Sequence, residues 1–346
     1  MAEQAFYIEK MNKVRLAVGI PAHNEEKNVG KLLQNLLEQP LDEGVVLEKI
    51  IVVTSGCTDR TEEIVEAFAH KDRRVRHFSE AERRGKISAV NLILGESRGS
   101  DVLLMLSADN LPAKGSIQEI LKPFLVSLRK CEGKIGEKSE EGEEGEESGG
   151  KQSEVSGGGE DDRSKSVGSV GCVSGRPVPV NDPRTFFGFA SHLLWGLHHR
   201  ISQREAKLTG EFFAMRVGIV EELPAVVNDD LYIEYAVKQR GYALVYAEKA
   251  VSFMRGPETL GDFLRQRVRV HVGHMQIAAM TGYKPKTASI YENIRHLKDF
   301  FTLRRMHFIA GAVLLEAFAR ILAFFHFKFR KIPLTWEHAK TTKIVQ

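Results

Sequence analysis

Four short apolar runs in the first third of the chain leave little freedom in its fold. They are Val14-Arg-Leu-Ala-Val-Gly-Ile20, Lys49-Ile-Ile-Val-Val53, Val75-Arg-His-Phe78 and Leu103-Leu-Met-Leu106. Short runs of this kind, bounded by turn signals and mostly continuous in apolar character, read as strands covered on both faces. Stretches of helical spacing separate them. Asn24 stands before Glu25-Glu26 as a helix cap, with Leu32, Leu33, Leu36 and Leu37 behind it; Glu62 to Ala69 forms a second helix; Gly85-Lys86 opens a third that runs through Asn91. Strand–helix alternation predicts parallel strands with right-handed crossovers, a Rossmann-like α/β sheet whose ligands sit beyond the carboxyl ends of the strands. Ser107-Ala-Asp-Asn110 follows the fourth run, so Asp109 is either delivered to that crevice or caps a turn.

A helix over 114–130 comes next, with Ile117, Ile120, Leu121 and Phe124 on one face. The composition then changes. Residues 132–166 hold no aromatic side chain and carry 12 acidic and 5 basic groups, a net −7; the whole chain is +3, so the rest is +10. Such a segment buries too little apolar surface to offset its ordering entropy and is expected to be disordered. Val170 to Gly175 resumes as a strand, so the segment interrupts one domain. The expected layout is a first half of one domain over 1–131, an acidic insertion over 132–166, a second half of the same domain over 167–280, and a helical C-terminal segment over 281–346. Within the second half we expect a helix from Arg184 to Gln203, a strand from Glu211 to Arg216 and a helix opened by Asn228-Asp229-Asp230. Gly241-Tyr242 then turns into a strand from Ala243 to Ala247, and a basic helix runs from Leu260 to Met280.

The three cysteines lie far apart, forming neither a disulfide framework nor a zinc pattern, which fits a reducing compartment. Met1 to Asn12 lacks an apolar core, so no secretory signal is expected there. A basic body suits phosphates or a membrane surface, although solvated charge accounts for it equally well. Residues 306–327 are apolar apart from Glu316 and Arg320, which share a helix face and can pair. Two mid-span charges disfavour a simple transmembrane helix and favour an interfacial or a core helix, with a true span as the third alternative.

Taken in order, the polar punctuation resembles that of family-2 glycosyltransferases, the nucleotide-sugar-dependent enzymes of GT-A fold. The pieces are Pro21-Ala-His-Asn-Glu-Glu26, Ile51-Val-Val-Thr-Ser-Gly-Cys-Thr-Asp-Arg-Thr61, Gly85-Lys86 with Ala89 and Asn91, Ser107-Ala-Asp109, Asp229-Asp230 followed by Gly241-Tyr242, and Gln266-Arg-Val-Arg-Val270 with Gly273. The resemblance covers roughly residues 14–280. It implies a mixed, mostly parallel sheet flanked by helices, with Pro21, Ala22, Glu25, Ser55, Asp59, Lys86, Asn91 and Ala108 around the donor nucleotide. It further implies Asp109 as ligand to Mg²⁺ or Mn²⁺, Asp230 as general base with Asp229 beside it, and Gln266, Arg267 and Arg269 toward the diphosphate or the acceptor. These residue types suit the chemistry. A departing nucleoside diphosphate concentrates negative charge that a hard cation and arginine forks offset, and an attacking hydroxyl needs a base within hydrogen-bond reach. His198, His199, His271 and His274 form no complete metal set and are read as structural.

The chain departs from the family pattern at three places. Thr54-Ser55 replaces an acidic pair, Ser107 replaces the first aspartate of Asp-x-Asp, and Val270 replaces a tryptophan. The resemblance implies a metal-dependent, inverting activity that moves one sugar from a UDP- or GDP-linked donor to a hydroxyl or lipid-linked (polyprenol phosphate) saccharide. The expected place is the cytoplasm or the cytoplasmic face of a membrane, with no nucleic acid partner. A non-catalytic nucleotide-sugar binder and a nucleotidyltransferase are the alternatives.

Overall fold

The computed structural model describes residues 13–137, 169–285, 295–300, 305–330, 332–333 and 340–342. The first half alternates as predicted: β1 (Val14–Ala22), α1 (Val29–Leu37), β2 (Val45–Ser55), α2 (Thr61–Lys71), β3 (Val75–Glu80), α3 (Lys86–Glu96) and β4 (Val102–Leu106). A two-residue strand, β5 (Leu111–Pro112), precedes α4 (Ser116–Glu137). The second half comprises β6 (Val170–Pro179), α5 (Phe186–Arg204), β7 (Phe212–Arg216), α6 (Asp229–Gln239), β8 (Ala243–Met254), α7 (Leu260–Thr281) and α8 (Met306–Phe329).

The strands form one eight-stranded sheet in the order β3-β2-β1-β4-β7-β6-β8-β5. β1, β2, β3 and β4 are mutually parallel; β7 runs antiparallel to both β4 and β6, and β6 pairs with β8 in parallel. Both faces are covered, which is why the strand sequences show little polar alternation. Leu16, Val18 and Ile20 of β1 pack with α1, α2 and α4, while Ala17 of β1 and Leu103 and Met105 of β4 pack with α3 and α6. Gly19 sits where α3 crosses β1, and a Cβ there would collide with Ile93 and Met105. A third cluster joins Phe189, Leu193 and Leu197 of α5 to Phe263 of α7 and Ile309 and Ala312 of α8.

Several expected boundaries move. Helix α1 starts at Val29, not at Glu25, because Asn24 takes a left-handed φ of 55° and spends its side chain on Thr58, leaving a turn closed by Glu25. β1 continues through Pro21 to Ala22, paired with Val53 and Thr54 of β2. β8 runs seven residues past the expected Ala247, to Met254, because its far half pairs with β6 and β5. Residues 132–137, expected to be disordered, are helical as the end of α4; the remainder of the acidic insertion, 138–166, lies outside the described residues.

Candidate active site

The carboxyl ends of β1, β2 and β4 open into one cavity of about 350 Å³. Pro21 and Ala22 come from β1, Ser55 from β2, and Ser107, Ala108 and Asp109 from the turn after β4. The first two ends are stitched together. The Glu25 N–H donates to Thr61 Oγ1 (2.7 Å), the Glu26 N–H to Asp59 Oδ2 (3.1 Å), and His23 Nδ1 meets the Ser55 carbonyl at 2.7 Å. Gly56 closes the β2 turn at φ +57°, and a Cβ on it would lie 2.5 Å from the Arg83 backbone nitrogen, so no other residue fits without displacing that loop.

The opposite wall comes from the second half of the chain. β7 runs against β4 and places Thr209, Gly210 and Glu211 beside Ser107 and Asn110. The Asn110 side chain donates to the Glu211 carbonyl (2.8 Å) and to Glu211 Oε2 (3.0 Å). Helix α6 begins at Asp229-Asp230, where two acidic residues complement the helix dipole. Asp229 is buried and grips Lys86, whose Nζ lies 2.9 Å from Oδ2. Burial opposes the Lys86 charge, but Asp229 outweighs it and holds the ammonium pKa above its usual value. Asp230 accepts from the Gly210 N–H (3.0 Å) and from its neighbour Leu231 (2.8 Å). Burial first, and then the charge of Asp229, raise its carboxyl above the ordinary aspartate value; Lys207 and Lys86 pull the other way.

Helices α5 and α7 roof the cavity with Trp195, His198, Gln266, Arg267, Arg269 and His274. α7 is tied to the start of α6: Asn228 donates to the Val270 carbonyl at 3.1 Å, and Gly273 leaves the room that Asn228 fills. Burial keeps the roof histidines neutral, lowering His198 to about 3 and His274 well below the usual imidazole value. Arg267 is engaged from behind, its guanidinium forked onto Glu316 of α8 at 2.7 and 2.8 Å. Among the histidines, His199 lies off the cavity lining and meets the Tyr246 hydroxyl at 2.8 Å.

Of the residues singled out from the sequence, Pro21, Ala22, Glu25, Ser55, Lys86, Ala108, Asp109, Asp229, Asp230, Gln266, Arg267 and Arg269 all line this cavity. Asp59 and Asn91 do not. Asp59 accepts from the Thr61 N–H (3.0 Å) and hydroxyl (2.5 Å), and Asn91 clamps Leu223 through both its donor and its acceptor (3.0 and 2.7 Å). Sequence reasoning passed over Glu211, Lys207 and Trp195. The first two flank Gly210 at the entry to β7, a position that becomes meaningful only once β7 is known to run antiparallel to β4.

Residues 17–127, from β1 into α4, match the sequence profile of glycosyl transferase family 2. The likeness to that family is confined to this segment. The family-2 segment supplies the floor of the cavity, and Asp229, Asp230 and the α7 roof come from beyond it. Over 311 residues the chain is 25% identical to the probable glycosyltransferase YdaM of Bacillus subtilis, covering 85% of this chain and 60% of that protein, so it spans three fifths of that relative. A 107-residue stretch is 33% identical to the dolichyl-phosphate beta-glucosyltransferase ALG5C of Trichomonas vaginalis, covering 30% of this chain and 32% of that one. In three dimensions the chain resembles the mannosyltransferase PcManGT of Pyrobaculum calidifontis, solved with GDP-Man and Mn²⁺. The TM-score is 0.52 at 19% identity, with 96% of this chain and 84% of that chain covered. The fold is therefore GT-A, as expected from the sequence.

Proposed function

We propose that this cavity transfers a single sugar from a nucleoside-diphosphate donor to an acceptor hydroxyl. The observation that carries the reading is the convergence of Asp109, Lys86 and Asp230 in one cavity at the carboxyl ends of β1, β2 and β4. In this reading the nucleotide lies over Pro21, Ala22, Glu25 and Ser55, and its diphosphate reaches toward Lys86. Asp230, fixed by the Gly210 N–H and raised in pKa, accepts the proton of the attacking hydroxyl. Asp229 holds Lys86 in place. Gln266 and Arg269 face the same space from above and favour anionic oxygens.

A divalent cation fits the donor set. Among the described residues no three His, Cys, Asp or Glu side chains converge as a metal cage. Asp109 and Glu211, however, both line the cavity, and Mg²⁺-type sites on phosphate substrates need only one or two carboxylates besides phosphate and water. When bound, such an ion would offset the charge developing on the leaving diphosphate.

The acceptor we favour is a lipid-linked saccharide. Helix α8 is 24 residues long, and an 18-residue stretch of it has mean hydropathy 2.0 with only 22% of that stretch buried. Glu316 turns inward to α7, and Leu314, Phe318, Ile321, Phe325 and Phe329 are left exposed. A helix of this kind suits lying along a bilayer surface, with its apolar side in the lipid and the cavity beside it.

The test is transfer by the full chain, with Mg²⁺ or Mn²⁺, UDP- and GDP-sugars and a membrane lipid extract, reading nucleotide release and labelled product. Asp230→Asn should lower turnover at least a hundredfold with donor binding retained, and Asp109→Ala should remove the metal response. Donor binding without turnover under every condition would falsify the enzymatic reading.

A further inference from the structure

The one carboxylate of α8 does not face solvent or lipid. Glu316 lies mid-helix with its side chain 18% exposed and accepts four contacts from basic groups. Arg267 approaches as a fork, Nε to Oε2 at 2.7 Å and Nη2 to Oε1 at 2.8 Å. His271 Nε2 lies 2.8 Å from Oε1, and Arg320 Nε is 3.5 Å from the same oxygen. Arg267 and His271 both line the cavity; Glu316 does not. It stands behind the wall and organises it.

We infer that Glu316 is a positioning residue for the transfer reaction, fixing Arg267 and the tautomer of His271 in the α7 wall of the cavity. The inference rests on the reading of the cavity as a transfer site. The chemistry of the cluster supports it. A carboxylate can only accept, so His271 must carry its proton on Nε2, which leaves Nδ1 as the acceptor of a neutral ring. Burial favours a protonated Glu316, but Arg267 and His271 outweigh it and hold its pKa far below the usual range. Burial likewise keeps His271 below the ordinary imidazole value. The fork uses two of the five guanidinium donors and sets the plane of the rest against the cavity.

The placement is informative for a second reason. The family-2 segment ends at residue 127, and α8 begins at Met306. A helix with an exposed apolar side therefore controls, through one buried carboxylate, how the site presents its charge. Arg267 is not simply a free phosphate ligand; its orientation is set from α8.

The experiment is a double-mutant cycle on the full chain with Glu316→Gln, Glu316→Asp, Arg267→Ala and the Glu316→Gln/Arg267→Ala pair. Steady-state kinetics and donor affinity by calorimetry are read for each variant. Glu316→Gln should raise the acceptor KM or lower kcat at least tenfold, with donor Kd changed less than twofold and an unaltered circular-dichroism spectrum. Glu316→Asp should recover part of the loss. Adding Arg267→Ala to Glu316→Gln should cost less than twofold more. Wild-type kinetics in Glu316→Gln overturn the inference, as do losses that multiply in the double variant. A parallel loss of donor affinity and native circular dichroism in both Glu316 variants overturns it too, since that marks a purely structural role. If the wild-type chain itself transfers no sugar, the transferase reading falls and this inference falls with it, whereas an active wild type with an unaffected Glu316→Gln removes only the inference.

Discussion

Asp230 shows what a single side chain gains from its surroundings. Its ordinary value is 3.8, and burial plus the adjacent Asp229 raise it. The general base we propose works only when ionised, so activity should rise with pH through that raised value and the acidic limb of kcat/KM should lie above the ordinary aspartate range. Two substitutions should move the limb in opposite directions. Asp229→Asn removes a like charge and should shift it to lower pH; Lys86→Met removes a cation that favours the ionised form and should shift it higher. A pH–rate profile with no movement in either variant would assign the proton transfer elsewhere. The aspartate pair was legible in the sequence because Gly241-Tyr242 follows it at the family's spacing. Lys207 and Glu211 were not, since each enters the cavity only through the direction of β7.

The helices and strands were read unevenly, for physical reasons. Runs buried on both faces, such as β2 and β4, announce themselves by continuous apolar character. β8 does not, because its middle carries Glu248 and Lys249 at exposed positions and its continuation depends on partners far along the chain. The start of α1 was misplaced because the pattern that looked like a cap is spent on joining two loops. In α8 the pairing of Glu316 with Arg320 was readable from their spacing, at 3.5 Å in the structure. The stronger tie to Arg267, 49 residues away, had no local signal. Because Glu316 faces inward and Arg320 turns toward it, the exposed residues from Val313 to Phe325 are all apolar, and binding to lipid should scale with that area. Phe318→Ser combined with Phe325→Ser should move the protein from the floating vesicle fraction to the lipid-free bottom fraction in a flotation assay with anionic vesicles. An unchanged distribution would show that α8 does not mediate attachment.

At the scale of the whole molecule, the resemblance to a known family and the extent of the site do not coincide. The segment that matches the family-2 profile contributes the cavity floor at the ends of β1, β2 and β4, and residues beyond 127 contribute Asp229, Asp230 and the roof, with α8 behind it. The join between the two halves is the pairing of β4 with β7, from Val102–Arg216 to Leu106–Phe212. β4 is buried along its full length. Cutting the chain after residue 131 would therefore leave β4 paired with β1 alone and lay bare its other edge, Val-Leu-Leu-Met-Leu, with unpaired N–H and C=O groups and no proline or charge to discourage association. Such a fragment should sediment as aggregates that bind thioflavin T, while the full chain stays dispersed under the same conditions. The antiparallel strand in the middle of the sheet thus protects the protein from self-association.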